Sequence, residues 1–341
     1  MTATQPTLRA PSNRARAGAL MRSTPAYIVV ALVALVVVFT IISPEGRFLD
    51  ATNLQAVGRN SAGLVLLAVG LTFVLGAGHI DLSVGATLVL SSVVAGTVAV
   101  DIAGPPSASG TFPGAGPAIA VAALAAVVVG GIAGLVNGLL VTKLKVNSFV
   151  VTLGTMGVAT GAAQVLTNGS NVAGIPSDVQ TSFGLNSIAG IPLPLVLAVV
   201  VALVAGVVLS QTSAGRHALA IGSSSDGAMR AGVNVQRSTT AVFVISGLMA
   251  GIAGFLDITR FGTTAISGHE TTMLQALSAV IIGGTSLFGG RASVLGSVLA
   301  TFIPTMLLAG FVMVGVSSFY QNIAIGAVLI IAVWLDQLRG K

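Results

Sequence analysis

The chain has 341 residues, 54% of them hydrophobic and only 7% charged, with a formal net charge of +6 and a mean hydropathy of +1.00. A soluble domain keeps about 25% of its residues charged to wet its surface, so this composition excludes a soluble globular protein and implies a polytopic membrane protein. Zero cysteines remove disulfides and thiolate chemistry, the 43 glycines follow no collagen period, and the 15 basic residues are not interleaved with aromatics as a nucleic-acid interface requires.

Apolar stretches long enough to cross roughly 30 Å of hydrocarbon predict ten spans, at 26–42, 60–77, 82–100, 117–141, 148–166, 193–209, 239–256, 273–288, 293–311 and 317–335. None alternates apolar and polar residues as barrel strands do, so the expected fold is an all-α integral membrane protein. Residues 1–25 and 336–341 become tails around a transmembrane domain over 26–335. The first apolar core, from Ala26 to Ile42, exceeds the about 7–15 residues of a signal peptide and no A-x-A site follows, so it is read as an uncleaved span. With the N-terminus inside, only Arg47, Arg59 and Arg260 of the 15 cations fall in outer segments. That is the asymmetry of the positive-inside rule, and an even number of spans puts both termini in the cytoplasm.

The second span ends at Gly76-Ala77-Gly78, and Asp81 stands just before the third. Two readings are open for Asp81. It caps the third span, where a carboxylate meets the positive end of the helix dipole, or it touches a solute where broken backbone lines a cavity. Asn137, Thr152 and Thr155 are polar groups inside the fourth and fifth spans, as is Gln275 in the eighth. They either bond between helices or give a weakly polar lining for hydroxylated solutes. Glycines at 130/134/138, 157/161 and 247/251 have the small-xxx-small spacing of close helix packing.

The largest inner loop is 210–238. Its Ser223-Ser224-Ser225-Asp226 run predicts the N-cap of a short helix through Ala228 and Ala231, stopped at Gly232. A helix that short is marginal alone, so the loop is either an ordinary connector or a docking element for a cytoplasmic motor. Farther on, Gly268-His269-Glu270 precedes the eighth span as Gly78-His79-Ile80-Asp81 precedes the third. Those spans are five apart and point in opposite directions, which predicts an inverted repeat of two five-helix halves. Gly283-Gly284 and Gly289-Gly290 flank Thr285-Ser286, the pattern of a flexible or broken helix beside a pathway.

No Asp, Glu, Lys or Arg falls squarely inside the ten predicted spans, which argues against a proton-driven carrier. His79, His217 and His269 lie far apart without a metal-binding motif, and no nucleophile elbow appears. The one Gly-Lys pair is Gly340-Lys341, with no Ser or Thr after it, so there is no phosphate-binding loop. No cofactor and no catalytic residue are expected, and any ATP-driven work needs a second polypeptide.

Asp226-Gly227-Ala228, with Gly232 four residues later, resembles the Glu-Ala-Ala-x3-Gly coupling loop of ABC importer permeases. The segments Gly215-Arg216-His217-Ala218-Leu219-Ala220-Ile221-Gly222, Phe48-Leu49-Asp50-Ala51-Thr52-Asn53-Leu54, Gly78-His79-Ile80-Asp81-Leu82-Ser83-Val84-Gly85, Phe149-Val150-Val151-Thr152-Leu153-Gly154-Thr155-Met156 and Gly283-Gly284-Thr285-Ser286-Leu287-Phe288-Gly289-Gly290 are similar to the ribose-type sugar branch, in order over about residues 48–336. The chain departs from it at three places: His79 stands for a glycine, Gly227 for an alanine, and Met273-Leu274-Gln275 for a Glu-Leu-Asp run. The resemblance implies the membrane subunit of an ABC importer in the bacterial cytoplasmic (inner) membrane, carrying a ribose-like monosaccharide or another small polar solute. It implies a second permease subunit, cytoplasmic ABC ATPases, and a periplasmic or lipoprotein solute-binding protein as partners. Gly215, Arg216, Asp226, Gly227, Ala228 and Gly232 then form the ATPase-coupling loop. Asp81, Asn137, Thr152, Thr155, Gln275, Thr285 and Ser286 are candidates for the translocation pathway. The alternatives are a permease for branched-chain amino acids or another non-sugar solute, and a stand-alone carrier or channel.

Overall fold

A computed structural model describes residues 24–107 and 111–317, with scattered positions from 319 to 330. Eight of its helices are long and apolar enough to cross a membrane. They are α1 (Thr24–Ile42), α2 (Ala51–Gly76), α3 (Val84–Ala103), α4 (Ala115–Lys143), α5 (Ser148–Thr167), α6 (Leu193–Gln211), α9 (Val235–Phe261) and α11 (Val294–Met313). Between α6 and α9 lie two short helices, α7 (Ser213–Ser223) and α8 (Ser225–Arg230), and α10 (His269–Ile282) precedes α11. The connection from α5 to α6 closes with a two-stranded hairpin, Ser187–Ile188 against Ile191–Pro192.

α2 is the hub. Every residue from Leu64 to Gly76 is buried, against α9, α11, α6 and α10. Lipid tails are as apolar as leucine, so packing must come from close approach. The crossing of α9 with α4 supplies it through the spaced glycines. A Cβ on Gly130 would stand 2.2 Å from the Gly247 carbonyl oxygen, and one on Gly251 2.4 Å from that of Ala126. Gly157 and Gly161 on α5 make no such approach: a Cβ there meets nothing within 4 Å. Their spacing therefore serves no close approach among the described residues.

The helix ends gather into two layers. At the near end, beside α7 and α8, Ile80 donates its amide to Ser148 Oγ (3.2 Å) and Thr142 pairs with Thr240 (3.2 Å). At the far end, Arg59 donates to the Leu185 carbonyl (3.2 Å) and Gln180 to that of Arg260 (3.0 Å).

The structure corrects the expected spans in three ways. First, 273–288 is not one membrane-long helix. α10 has 14 residues, about 21 Å at helical rise, and Gly284, with φ +90°, turns the chain away after Ile282. The chain enters α10 through non-helical residues 262–268, running inward along α3. Thr264 lies against Gly96, whereas the His269 carbonyl lies against Gly85, about 16 Å farther in. Second, charged side chains do lie within the helices. α2 begins at Ala51 and α9 runs on to Phe261, so Arg59, Asp257 and Arg260 are helical residues. Hydropathy ended those spans at the first charge, but backbone hydrogen bonding does not stop there. Third, much of 210–238 is helical. The tenth span, 317–335, falls mostly outside the described residues, as do the tails 1–23 and 336–341.

Candidate functional site

The predicted pathway residues separate into three places. Asp81, Asn137 and Thr152 meet at the break between α2 and α3. Gly78, at φ +75°, turns the chain back into the bundle after α2. Asp81 Oδ1 then accepts the amide (3.0 Å) and hydroxyl (2.7 Å) of Ser83, and Oδ2 accepts the Ser246 hydroxyl of α9 (2.8 Å). Ser246 sits about 16 Å along α9 from Val235, so the break penetrates deep between the helices. Asn137 donates to Ser83 Oγ (2.8 Å), and Thr152 Oγ1 donates to the Ser148 carbonyl (2.8 Å) with a longer contact to that of Ile80 (3.3 Å). Asp81 is thus not the helix cap itself: Ser83 holds that position, and the carboxylate pins it to α9. Thr155 faces a mostly apolar groove of about 230 Å³ between α3, α4 and α5, with Asn137 and Ser83 at its edge.

Thr285 and Ser286 occupy the loop between α10 and α11. Thr285 Oγ1 accepts the Ser293 amide (3.1 Å) and lies 3.5 Å from Ser297 Oγ, which accepts the Thr72 hydroxyl of α2 (2.8 Å). The Ser286 amide donates to the Arg291 carbonyl (3.0 Å), closing the loop on itself. These hydroxyls are buried and paired: Ser286 Oγ accepts the Phe288 amide within the loop (3.2 Å), and Thr285 holds the loop to the start of α11, which Ser297 in turn joins to α2.

Gln275 lies elsewhere, in the wall of a cavity of about 350 Å³ toward the far end, between α2, α3, α9, α10 and α11. Arg59, Asn60, Asp257, Arg260, His269, Thr271 and Thr272 share this wall, and Leu64, Leu88 and Ala253 line it as well. Sequence reading missed all but Gln275. The available signal was Asp257 and Arg260 at i, i+3 directly after an apolar run, a spacing that keeps both on one helix face.

The loop residues form a continuous device at the near end. Thr212 caps α7 through the Gly215 amide (3.4 Å), and a Cβ on Gly215 would stand 2.1 Å from the Leu209 carbonyl oxygen, so the turn out of α6 requires glycine. Arg216 donates to the Gln211 carbonyl (3.2 Å). α7 buries Gly215, Ala218 and Ile221 on one face. Ser224 then caps α8 through the Gly227 amide (3.1 Å), with Asp226 in the first turn beside the positive helix end. Gly232, at φ +83°, closes α8, and Ala228 is its one buried residue. Where α7 ends, Gly222 is wedged against the end of α2 and the loop after α10. A Cβ there would stand 2.1 Å from the Gly76 carbonyl oxygen and 2.5 Å from the Gly290 amide. One glycine of the loop therefore touches both broken connections.

Among the described residues, no three His, Cys, Asp or Glu side chains are grouped to hold a metal ion. Residues 53–333 match the family model described as branched-chain amino acid transport system / permease component. The chain is 35% identical to the ribose import permease protein of Bacillus subtilis, over 89% of this chain and 90% of the relative. It is 33% identical to the D-allose transport system permease protein of Escherichia coli K12, over 91% and 90%. It is 29% identical to the xylose transport system permease protein of the same strain, over 96% of both. No solved structure matches the chain. It is a multi-pass membrane protein that belongs to the branched-chain amino acid transport system / permease component family.

Proposed function

We propose that this chain is the membrane-spanning subunit of an ABC importer that moves a monosaccharide into the cytoplasm. The observation that carries the substrate class is the near full-length match to permeases named for ribose, allose and xylose. The polar cavity is consistent with it, since hydroxylated solutes need donors and acceptors in an apolar surround. The chain sits in the bacterial cytoplasmic membrane with both termini inside and two inverted five-helix halves, the eighth crossing being made by the non-helical residues 262–268 together with the short α10. Two copies pair, two cytoplasmic ABC ATPases dock on them, and a periplasmic or lipoprotein binding protein delivers the sugar.

In this reading α8 meets the ATPase, and Asp226, Gly227, Ala228 and Gly232 set its shape, while Gly215 and Arg216 set the turn into α7. Movement of α7 is delivered through Gly222 to the breaks at 76–83 and 283–293. Those breaks are the two-state element, and ATP binding biases it between outward and inward access. Asp81, Asn137, Thr152 and Thr155 hold or border one break, and Thr285 and Ser286 hold the other; Gln275 lines the solute cavity.

The test is copurification. The tagged protein, extracted in mild detergent from its native host, is expected to bring down a P-loop ATPase in stoichiometric amount, with ATPase activity in the complex. A protein that purifies without any ATPase yet moves ribose, allose or xylose into liposomes would replace this reading with a stand-alone carrier.

A further inference from the structure

We propose that the far-end cavity is a solute site of the permease itself, which takes one monosaccharide by its hydroxyls between binding protein and membrane break. The inference rests on the sugar-importer reading and adds a site within it. Its volume, about 350 Å³, falls at the small end of ligand pockets, which run from about 300 to 1,000 Å³. That suits a single sugar ring.

The chemistry of the wall is specific. Asp257 and His269 are almost buried, with side chains 11% and 12% exposed. Their facing atoms, Asp257 Oδ2 and His269 Nε2, lie 3.5 Å apart without hydrogen-bond alignment. Both ring nitrogens of His269, Asp257 Oδ2 and Arg59 Nε have no hydrogen-bond partner within the protein. Buried polar groups are costly unless paired; these atoms are shielded from solvent, and Asp257 and His269 face each other within the wall. Asn60, Thr271, Thr272 and Gln275 in the same wall present acceptor and donor functions together, which suits hydroxyls that both give and accept.

The wall is also oriented by a helix start. α10 begins inside the bundle at His269, and its first turn carries N–H groups without intrahelical partners. Thr271, Thr272 and Gln275 lie on the cavity-facing side of that helix at helical spacing. A half-helix whose N-terminus meets a solute inside the membrane is a known solution for binding in broken helices. Arg260, whose guanidinium carbon lies 4.2 Å from the Phe261 ring centroid, shares the same wall. Past Leu64, α2 is buried without interruption as far as Gly76.

Gly63 supplies the test. It lines the cavity, and a Cβ there meets nothing within 4 Å. Gly63→Leu therefore fills the site without forcing the helices apart. In proteoliposomes holding the whole complex and its binding protein, we expect Gly63→Leu to lower uptake of labelled D-ribose, D-allose or D-xylose more than tenfold. Gly63→Ala should keep at least half of it. Asp257→Asn and Gln275→Met, which keep side-chain volume, should raise KM for the transported sugar more than fivefold. Unchanged uptake in Gly63→Leu, or unchanged KM in both polar variants should Gly63→Leu not assemble, overturns the cavity site while the importer reading stands. A wild-type complex that imports L-leucine and none of the three sugars overturns the sugar reading and this site together.

Discussion

The amide of Gly290 donates to the carbonyl of Gly76 over 3.0 Å, joining the loop after α10 to the last residue of α2. This bond links two breaks that are more than two hundred residues apart in the chain, and Gly222 of α7 lies against both of its ends. A helix C-terminus leaves carbonyls without intrahelical partners; here one is answered by the other break and not by water. The two broken connections therefore form a single mechanical unit with α7.

Gly222→Val tests that unit. Its side chain would begin 2.1 Å from the Gly76 carbonyl oxygen, and overpacking of this kind costs about 1–3 kcal/mol. The expected result is a protein that inserts and assembles but loses most ATP-driven uptake, with ATPase activity no longer stimulated by the binding protein. Uptake and stimulated ATPase measured on the same proteoliposomes check it; wild-type values for both would remove the link.

Gly232→Val probes the end of α8 by strain alone, because nothing lies within 4 Å of its Cβ position. A non-glycine residue in the left-handed region costs roughly 1–2 kcal/mol, which a six-residue helix has little means to absorb. Uptake should be abolished with membrane insertion intact, as followed by transport assay and membrane fractionation. Normal uptake would remove the coupling role from this loop.

Packing and spacing can be separated at two glycine pairs. Gly247→Val on α9 drives a side chain into the Gly130 carbonyl oxygen, 2.1 Å from its Cβ, and should lower stability by about 1–3 kcal/mol. Gly157→Val on α5 meets nothing and should stay within about 0.5 kcal/mol of wild type. Thermal melts in detergent distinguish them.

Ser246→Ala removes the one hydrogen bond that ties the Asp81 carboxylate to α9. Hydrogen bonds to charged groups contribute about 1.5–3 kcal/mol, so a comparable loss of stability is expected in the same melts. A larger effect on uptake than on melting would place this bond in the moving part of the cycle.

Much of this architecture was legible in the sequence. Apolar length marked α1 to α6, α9 and α11, and the Ser224 cap and Gly232 stop marked α8, because those signals are local. α10 was not legible as a half-helix. Its apolar character continues through Gly283 and Gly284, and only tertiary contacts decide where such a run stops being helical. Asp257 and Arg260 were lost for the converse reason, since a hydropathy window closes where charge begins although α9 does not. The contact of Gly222 with Gly76 and Gly290 was not legible, although Gly222 and Gly290 both lie in runs that resemble the sugar branch. A glycine that permits a turn and one that permits three backbones to meet look the same in one dimension.

The central claim is that ATP drives sugar through this chain. Its most direct test is uptake of labelled D-ribose, D-allose and D-xylose by proteoliposomes containing the complex, its binding protein and internal ATP. The account predicts uptake of at least one sugar that stops when ATP is replaced by a non-hydrolysable analogue or when the binding protein is omitted. Sugar uptake that continues at the same rate without hydrolysable ATP would contradict it.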